Sequence, residues 1–133
     1  MQDFRNLEVW QRAYGLALDV YRASRQFPRE EIYSLTSQVR RCSISIPSNI
    51  AEGCGRQTDA DFKRFLHIAM GSAAELECQL MLIRDLKLID IPTSDQLLNE
   101  VAVTRKMLNA LIQRLKQPPQ PRANSHELRA KSP

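Results

Sequence analysis

One run of the chain constrains its fold more than any other. Apolar residues recur at Ile32, Leu35, Val39, Cys42, Ile46 and Ile50, in steps of three and four. That spacing is one stripe of an α-helix, and Pro47 stands inside it. A proline there removes one backbone hydrogen bond and crowds the preceding turn, at a cost of about 3 kcal/mol. Packing against a neighbouring helix is the natural offset. Ser43, Ser45 and Ser48 are placed to bond the carbonyls that a kink frees. The reading is a single bent helix; the alternative is two short helices with a break at Ser45–Pro47.

The flanking sequence supports an all-α chain. No glycine occurs between Gly15 and Gly53, and no strand-like alternation or Asn-Gly turn appears. A first helix is predicted over about Asn6 to Ser24, with Leu7, Trp10, Tyr14, Ala17 or Leu18, and Tyr21 as its inner stripe. Pro28 suits the first position of helix 2, with Glu30 and Glu31 in its first turn. Gly53-Cys54-Gly55 closes helix 2 with glycine at a C-terminal cap. Thr58 and Asp61 have capping-box spacing for a helix 3 that runs to about Leu88. Thr93 and Gln96 have the same spacing for helix 4, whose stripe is Leu97, Val101, Thr104, Leu108, Leu111 or Ile112, and Leu115. Pro118, Pro119 and Pro121 stop that helix. Residues 1–116 therefore read as an up-down-up-down four-helix bundle, and residues 117–133 as a disordered, basic, proline-rich tail.

Helix 3 carries more apolar surface than one bundle can hide. Phe62, Phe65, Leu66, Ala69, Ala73, Leu76, Leu80 and Ile83 fill one face, while Ile68, Met70, Ala74, Cys78, Met81 and Leu82 make a second. A helix apolar nearly all round is buried nearly all round. Self-association is the expectation, with Ile44, Ile68, Met70, Met81 and Leu82 as interface candidates; the alternative is that the loop or tail covers this face. Gly71-Ser72-Ala73-Ala74 admits a second backbone at close range, the bent part of helix 2 being the expected neighbour.

Charge and chemistry exclude more than they assign. The 133 residues carry a formal +4; residues 1–116 hold 16 Lys/Arg against 14 Asp/Glu, and the last 17 supply the other +2. Candidate phosphate contacts are Arg40, Arg41, Arg56, Lys63, Arg64, Arg105 and Lys106. The bland alternative is a solvated helix face. His67 and Cys78 lie eleven residues apart on one helix, about 16 Å along it, too far for a nucleophile pair. Cys42, Cys54 and Cys78 have no metal or redox spacing, so no metal or cofactor is expected. Glu52, Arg56, Arg64, Glu75 and Glu77 read as a structural ion-pair network around the helix 2–helix 3 junction. No apolar run approaches 18 residues, and Met1-Gln2-Asp3-Phe4-Arg5 lacks the apolar core of a signal peptide, so the expected setting is the cytoplasm, with no membrane contact.

Four segments carry a resemblance: Leu7-Glu8-Val9-Trp10-Gln11-Arg12-Ala13-Tyr14; Phe27 through Arg41; Ser43-Ile44-Ser45-Ile46-Pro47-Ser48-Asn49-Ile50-Ala51-Glu52-Gly53; and Phe65 through Glu77. Together they closely resemble the four-helix-bundle family named for intervening sequences of bacterial large-subunit ribosomal RNA genes. The resemblance implies a ring-shaped homopentamer and no catalytic residues. Pro47, Asn49, Glu52, Gly53, Gly71 and Glu75 are expected to have structural roles. A related protein, the accessory variability determinant of diversity-generating retroelements, is a basic pentamer that binds nucleic acid and its reverse transcriptase. The expectation is thus a non-enzymatic oligomer whose partners are further copies of itself and RNA, DNA or a nucleic-acid-handling protein. The alternative is a protein–protein scaffold with no nucleic-acid role.

Overall fold

The computed structural model describes residues 3–116. Its helices are α1 (Glu8–Ser24), α2 (Leu35–Cys54), α3 (Asp59–Asp85) and α4 (Ile91–Lys116), with short 3₁₀ turns at Phe4–Asn6 and Arg29–Glu31. No strand occurs among the described residues. Each helix packs beside two others around a closed square, α4 returning to α1, and the backbones of the diagonal pairs stay more than 8 Å apart between Cα atoms. Neighbours run antiparallel. Ser24 of α1 meets Arg40 of α2, Ser45 of α2 meets Ser72 of α3, and Glu77 of α3 meets Arg105 of α4. The result is an up-down-up-down bundle. Among the described residues no helix is long and apolar enough to cross a membrane. The expected tail, 117–133, lies outside the described residues.

The α2, α3 and α4 stripes fall where periodicity puts them. Val39, Ile46, Ile50, Leu66, Ala69, Ala73, Leu76, Ile83, Val101 and Leu108 are fully buried. Helix α2 is unbroken through Pro47, which is itself buried. The serines act differently from expectation. Ser43 Oγ donates to the Arg40 carbonyl (2.9 Å), and Ser45 Oγ reaches Ser72 Oγ on α3 (2.8 Å). Neither reaches the Ser43 carbonyl, the group that Pro47 leaves without its helical donor.

Four expectations are corrected. Helix α2 starts at Leu35, not Pro28: Ser34 has φ −124° and ψ −98°, outside helical values, and the segment before it is a 3₁₀ turn. Ile32 therefore leaves the stripe and is exposed. Helix α4 starts at Ile91 because Asp90, not Thr93, is its cap; the Asp90 carboxylate accepts from Thr93 N (3.0 Å) and Thr93 Oγ1. Helix α3 stops at Asp85, where Lys87 takes φ +57° and Leu88 N donates to the Ile83 carbonyl (3.1 Å), a Schellman-type end. Finally, α1 buries Val9, Ala13, Leu16, Ala17, Val20 and Ala23, and turns Tyr14, Leu18 and Tyr21 outward. The inner stripe read from the heptad is half right: Leu7 and Trp10 pack against the core and Ala17 is buried, while Tyr14, Leu18 and Tyr21 face outward.

Candidate functional site

The seven candidate cations do not form one patch. Arg40 Nε donates to Ser24 Oγ (2.7 Å) and its guanidinium lies over Tyr21, so it ties α2 to α1. Arg41 donates to Ser37 Oγ within its own helix. Arg105 pairs with Glu77 across α3 and α4 at 3.2 Å. Arg56 pairs with Glu52 one turn back at 2.9 Å. Arg64 stands 3.7 Å from Asp61. Among the described residues Lys63 and Lys106 have no carboxylate partner. The anticipated network of Glu52, Arg56, Arg64, Glu75 and Glu77 resolves into separate pairs, because these residues spread along two helices.

Folding does gather some of them. Arg56, Lys63 and Arg64 share the end of the bundle where α2 passes to α3. The Arg56 and Arg64 guanidinium carbons lie 4.7 and 4.5 Å from the centre of the Phe65 ring. Beside them is an open groove of about 560 Å³ lined by Ala60, Lys63, Arg64, His67, Ile68 and Lys116. Lys116 and His67 were not among the sequence candidates for anion contact. Lys63 and His67 are four apart on one helix and share a face, a signal that was available; Lys116 joins them only through folding.

Small and polar residues make the α2–α3 seam. Asn49 Nδ2 donates to the Ser45 carbonyl (2.8 Å) and to Ser45 Oγ (3.0 Å). Cys42 Sγ donates to the Ser72 carbonyl at 3.1 Å. Burial, with Glu75 nearby, pushes the Cys42 thiol up to about 12. Gly53 lies within α2, and a Cβ on it would meet Phe62 Cδ1 at 2.9 Å and Phe65 Cβ at 3.0 Å. Its place is set by close packing of α3, not by a terminal cap. Gly71 faces outward and a Cβ on it would meet nothing within 4 Å.

Two outward faces are apolar. On α3, Met81 (45% exposed) and Leu82 (49%) stand beyond exposed Gly71, Ala74 and Cys78. Ile68 is also exposed but belongs to the groove, thirteen residues from Met81, or about 20 Å along the helix. Met70, offered as an interface residue, is half-buried against the core. On α1, Tyr14 (48%), Leu18 and Tyr21 share a face; Ile44 is exposed on the neighbouring α2.

A family model described as 23S rRNA-intervening sequence protein matches residues 5–110. The chain belongs to this family. It also matches the crystal structure of a protein of unknown function from the S23 ribosomal protein family of Bacteroides thetaiotaomicron, with 26% identity and a TM-score of 0.73 over 78% of this chain and 97% of that one. No curated protein matches it. The specific Ser43–Gly53 run of this intervening-sequence protein is the part of α2 that packs on α3: Ser45, Asn49 and Gly53 make the seam contacts above. Its chemistry is otherwise quiet. Among the described residues no group of three His, Cys, Asp or Glu could hold a metal. Cys42 and Cys54 are buried, their thiols raised first by burial, and Cys78 is exposed.

Proposed function

We propose that this intervening-sequence protein is a non-enzymatic, ring-forming helical module that associates with nucleic acid. One observation carries the assembly: the protomer has two separate apolar faces on diagonal helices, α1 and α3, which are not neighbours around the bundle. A closed ring of identical copies uses a heterologous contact, so each copy must offer two different surfaces. The faces of α1 and α3 meet that need. Five copies is the number that the resemblance implies.

Assembly also bears on charge. Five copies of a +4 chain carry a formal +20, and such a field attracts nucleic acid even where one copy is mildly basic. Polar groups of the α2–α3 seam mostly satisfy one another, and no convergent acid–base pair supports an enzyme. A cytoplasmic setting fits the buried thiols of Cys42 and Cys54, which act as small apolar groups.

Sedimentation at micromolar concentration tests the ring; a single 15.3 kDa species overturns it. Filter binding to RNA and DNA at 50 and 300 mM salt tests the association. Retention at the lower salt that falls at the higher one is expected, and none at either leaves the protein–protein scaffold as the better reading.

A further inference from the structure

The groove between α3 and the end of α4 differs from the other charged surface. Its lining is cationic at Lys63, Arg64 and Lys116, with the His67 ring beside them, and apolar at Ala60 and the exposed Ile68. Phosphate contacts need charges or hydrogen-bond donors and no apolar lining. Arg64 adds a third element. Its guanidinium carbon lies 4.5 Å from the centre of the Phe65 ring, a cation–π contact that leaves the side chain largely exposed. An exposed guanidinium plane can carry a stacked, unpaired base. Asp61, its acidic neighbour, is 3.7 Å away and half-exposed, too loose to neutralise it. The chain leaves this groove at Lys116, and the 17 residues that follow include Arg122, Arg129 and Lys131. The occupant favoured by charge is therefore an anion, and the apolar lining and the Arg64 guanidinium select one that also carries exposed rings.

We infer that this groove is a binding site for single-stranded nucleic acid, with Lys63 and Lys116 on the phosphates, Arg64 stacking an unpaired base, and Ile68 as the apolar contact. The site rests on the proposed association with nucleic acid and gives it a location and a strand type. In a ring it recurs once per copy, so a long strand meets the same groove repeatedly.

The test uses the full chain, a fluorescein-labelled 12-nucleotide oligouridylate, a 12-base-pair RNA duplex and unlabelled polyglutamate, read by fluorescence anisotropy. The wild type is expected to bind the single strand more tightly than the duplex. Arg64→Lys keeps the charge and removes the plane, and is expected to weaken single-strand binding at least about fivefold while leaving the duplex within twofold. The double variant Lys63→Ala/Lys116→Ala is expected to flatten the single-strand salt dependence by about 1.4 log units of affinity per tenfold salt. Circular dichroism and sedimentation matching the wild type show that the variants remain folded and assembled. Binding that is unchanged in both variants overturns the groove and leaves nucleic-acid association standing. Failure of the wild type to bind either RNA overturns both. Equal competition by polyglutamate, with Arg64→Lys silent, also overturns the inference, since the groove is then a general anion surface fit for an acidic protein.

Discussion

Two glycines in long helices have opposite surroundings. A Cβ at Gly53 would stand 3.0 Å from Phe65 Cβ, an atom close to the backbone that cannot swing away. Alanine there gains about 1 kcal/mol of helix propensity and loses more to overpacking, which typically costs 1–3 kcal/mol. Gly53→Ala should lower stability by about 1 kcal/mol net, read as a lower midpoint in thermal unfolding. At Gly71 the space is open, so Gly71→Ala should raise helix stability by up to about 1 kcal/mol. If the α3 face is covered by another copy, the same change weakens assembly while the helices themselves grow more stable, and sedimentation separates the two effects. Cys42 supplies a pH signature. Its thiol is raised from 9.0 to about 12, so the folded state holds its proton longer than the unfolded one. Stability is unaffected by this group below pH 9 and falls as pH rises from 9 toward 12. Cys42→Ala should flatten that alkaline loss in urea titrations, after allowing for a constant packing penalty.

Helix ends show how far local signals reach. The Asp90 carboxylate is held below its usual range by bonds from the Thr93 hydroxyl and backbone N–H. A depressed carboxylate contributes stability above its unfolded value of 3.8, and that contribution disappears as pH falls through the lower folded value. Asp90→Ala should lower the thermal midpoint at pH 7 and lose less than the wild type on going to pH 3, while Asp90→Asn keeps part of the cap. Capping pairs were readable for α3, where Thr58 Oγ1 accepts from Asp61 N at 3.1 Å. For α4 the pair Thr93–Gln96 outcompeted the true cap, because Pro92 looked like a boundary and is tolerated in the first turn. The stripes of α3 and α4 were legible because Leu, Ile and Phe dominate them. That of α1 was not. Its buried side is largely Val9, Ala13, Ala17, Val20 and Ala23, small groups that allow helices to approach closely yet weigh little beside Trp10, Tyr14 and Tyr21. Of the groove, Lys63 and Arg64 were visible as charges, but Lys116 lies more than fifty residues away and only the α3–α4 pairing unites them.

At the scale of the molecule, the outward half of the α1 stripe has a physical explanation in assembly. Tyr14, Leu18 and Tyr21, outside their own bundle, form a seam without a partner, and α3 presents a second such seam. A head-to-tail contact between them makes a complementation test possible. Leu18→Asp spoils only the α1 face and leaves α3 intact; Met81→Asp spoils only the α3 face and leaves α1 intact. Burying an unpaired carboxylate at either face costs several kcal/mol, so each variant alone should sediment as a folded monomer with wild-type helical content. Mixed in equal amounts, the two retain one good pair of faces between them. They should form a one-to-one dimer and nothing larger, since the outer faces of that dimer are both spoiled. A contact in which α3 packs on α3 of a second copy behaves differently: Leu18→Asp alone still assembles, and mixing rescues nothing for Met81→Asp. Sedimentation velocity on the two variants and their mixture therefore separates a ring built head to tail from a two-fold dimer, and an unchanged mass for both variants rules out either face as the contact.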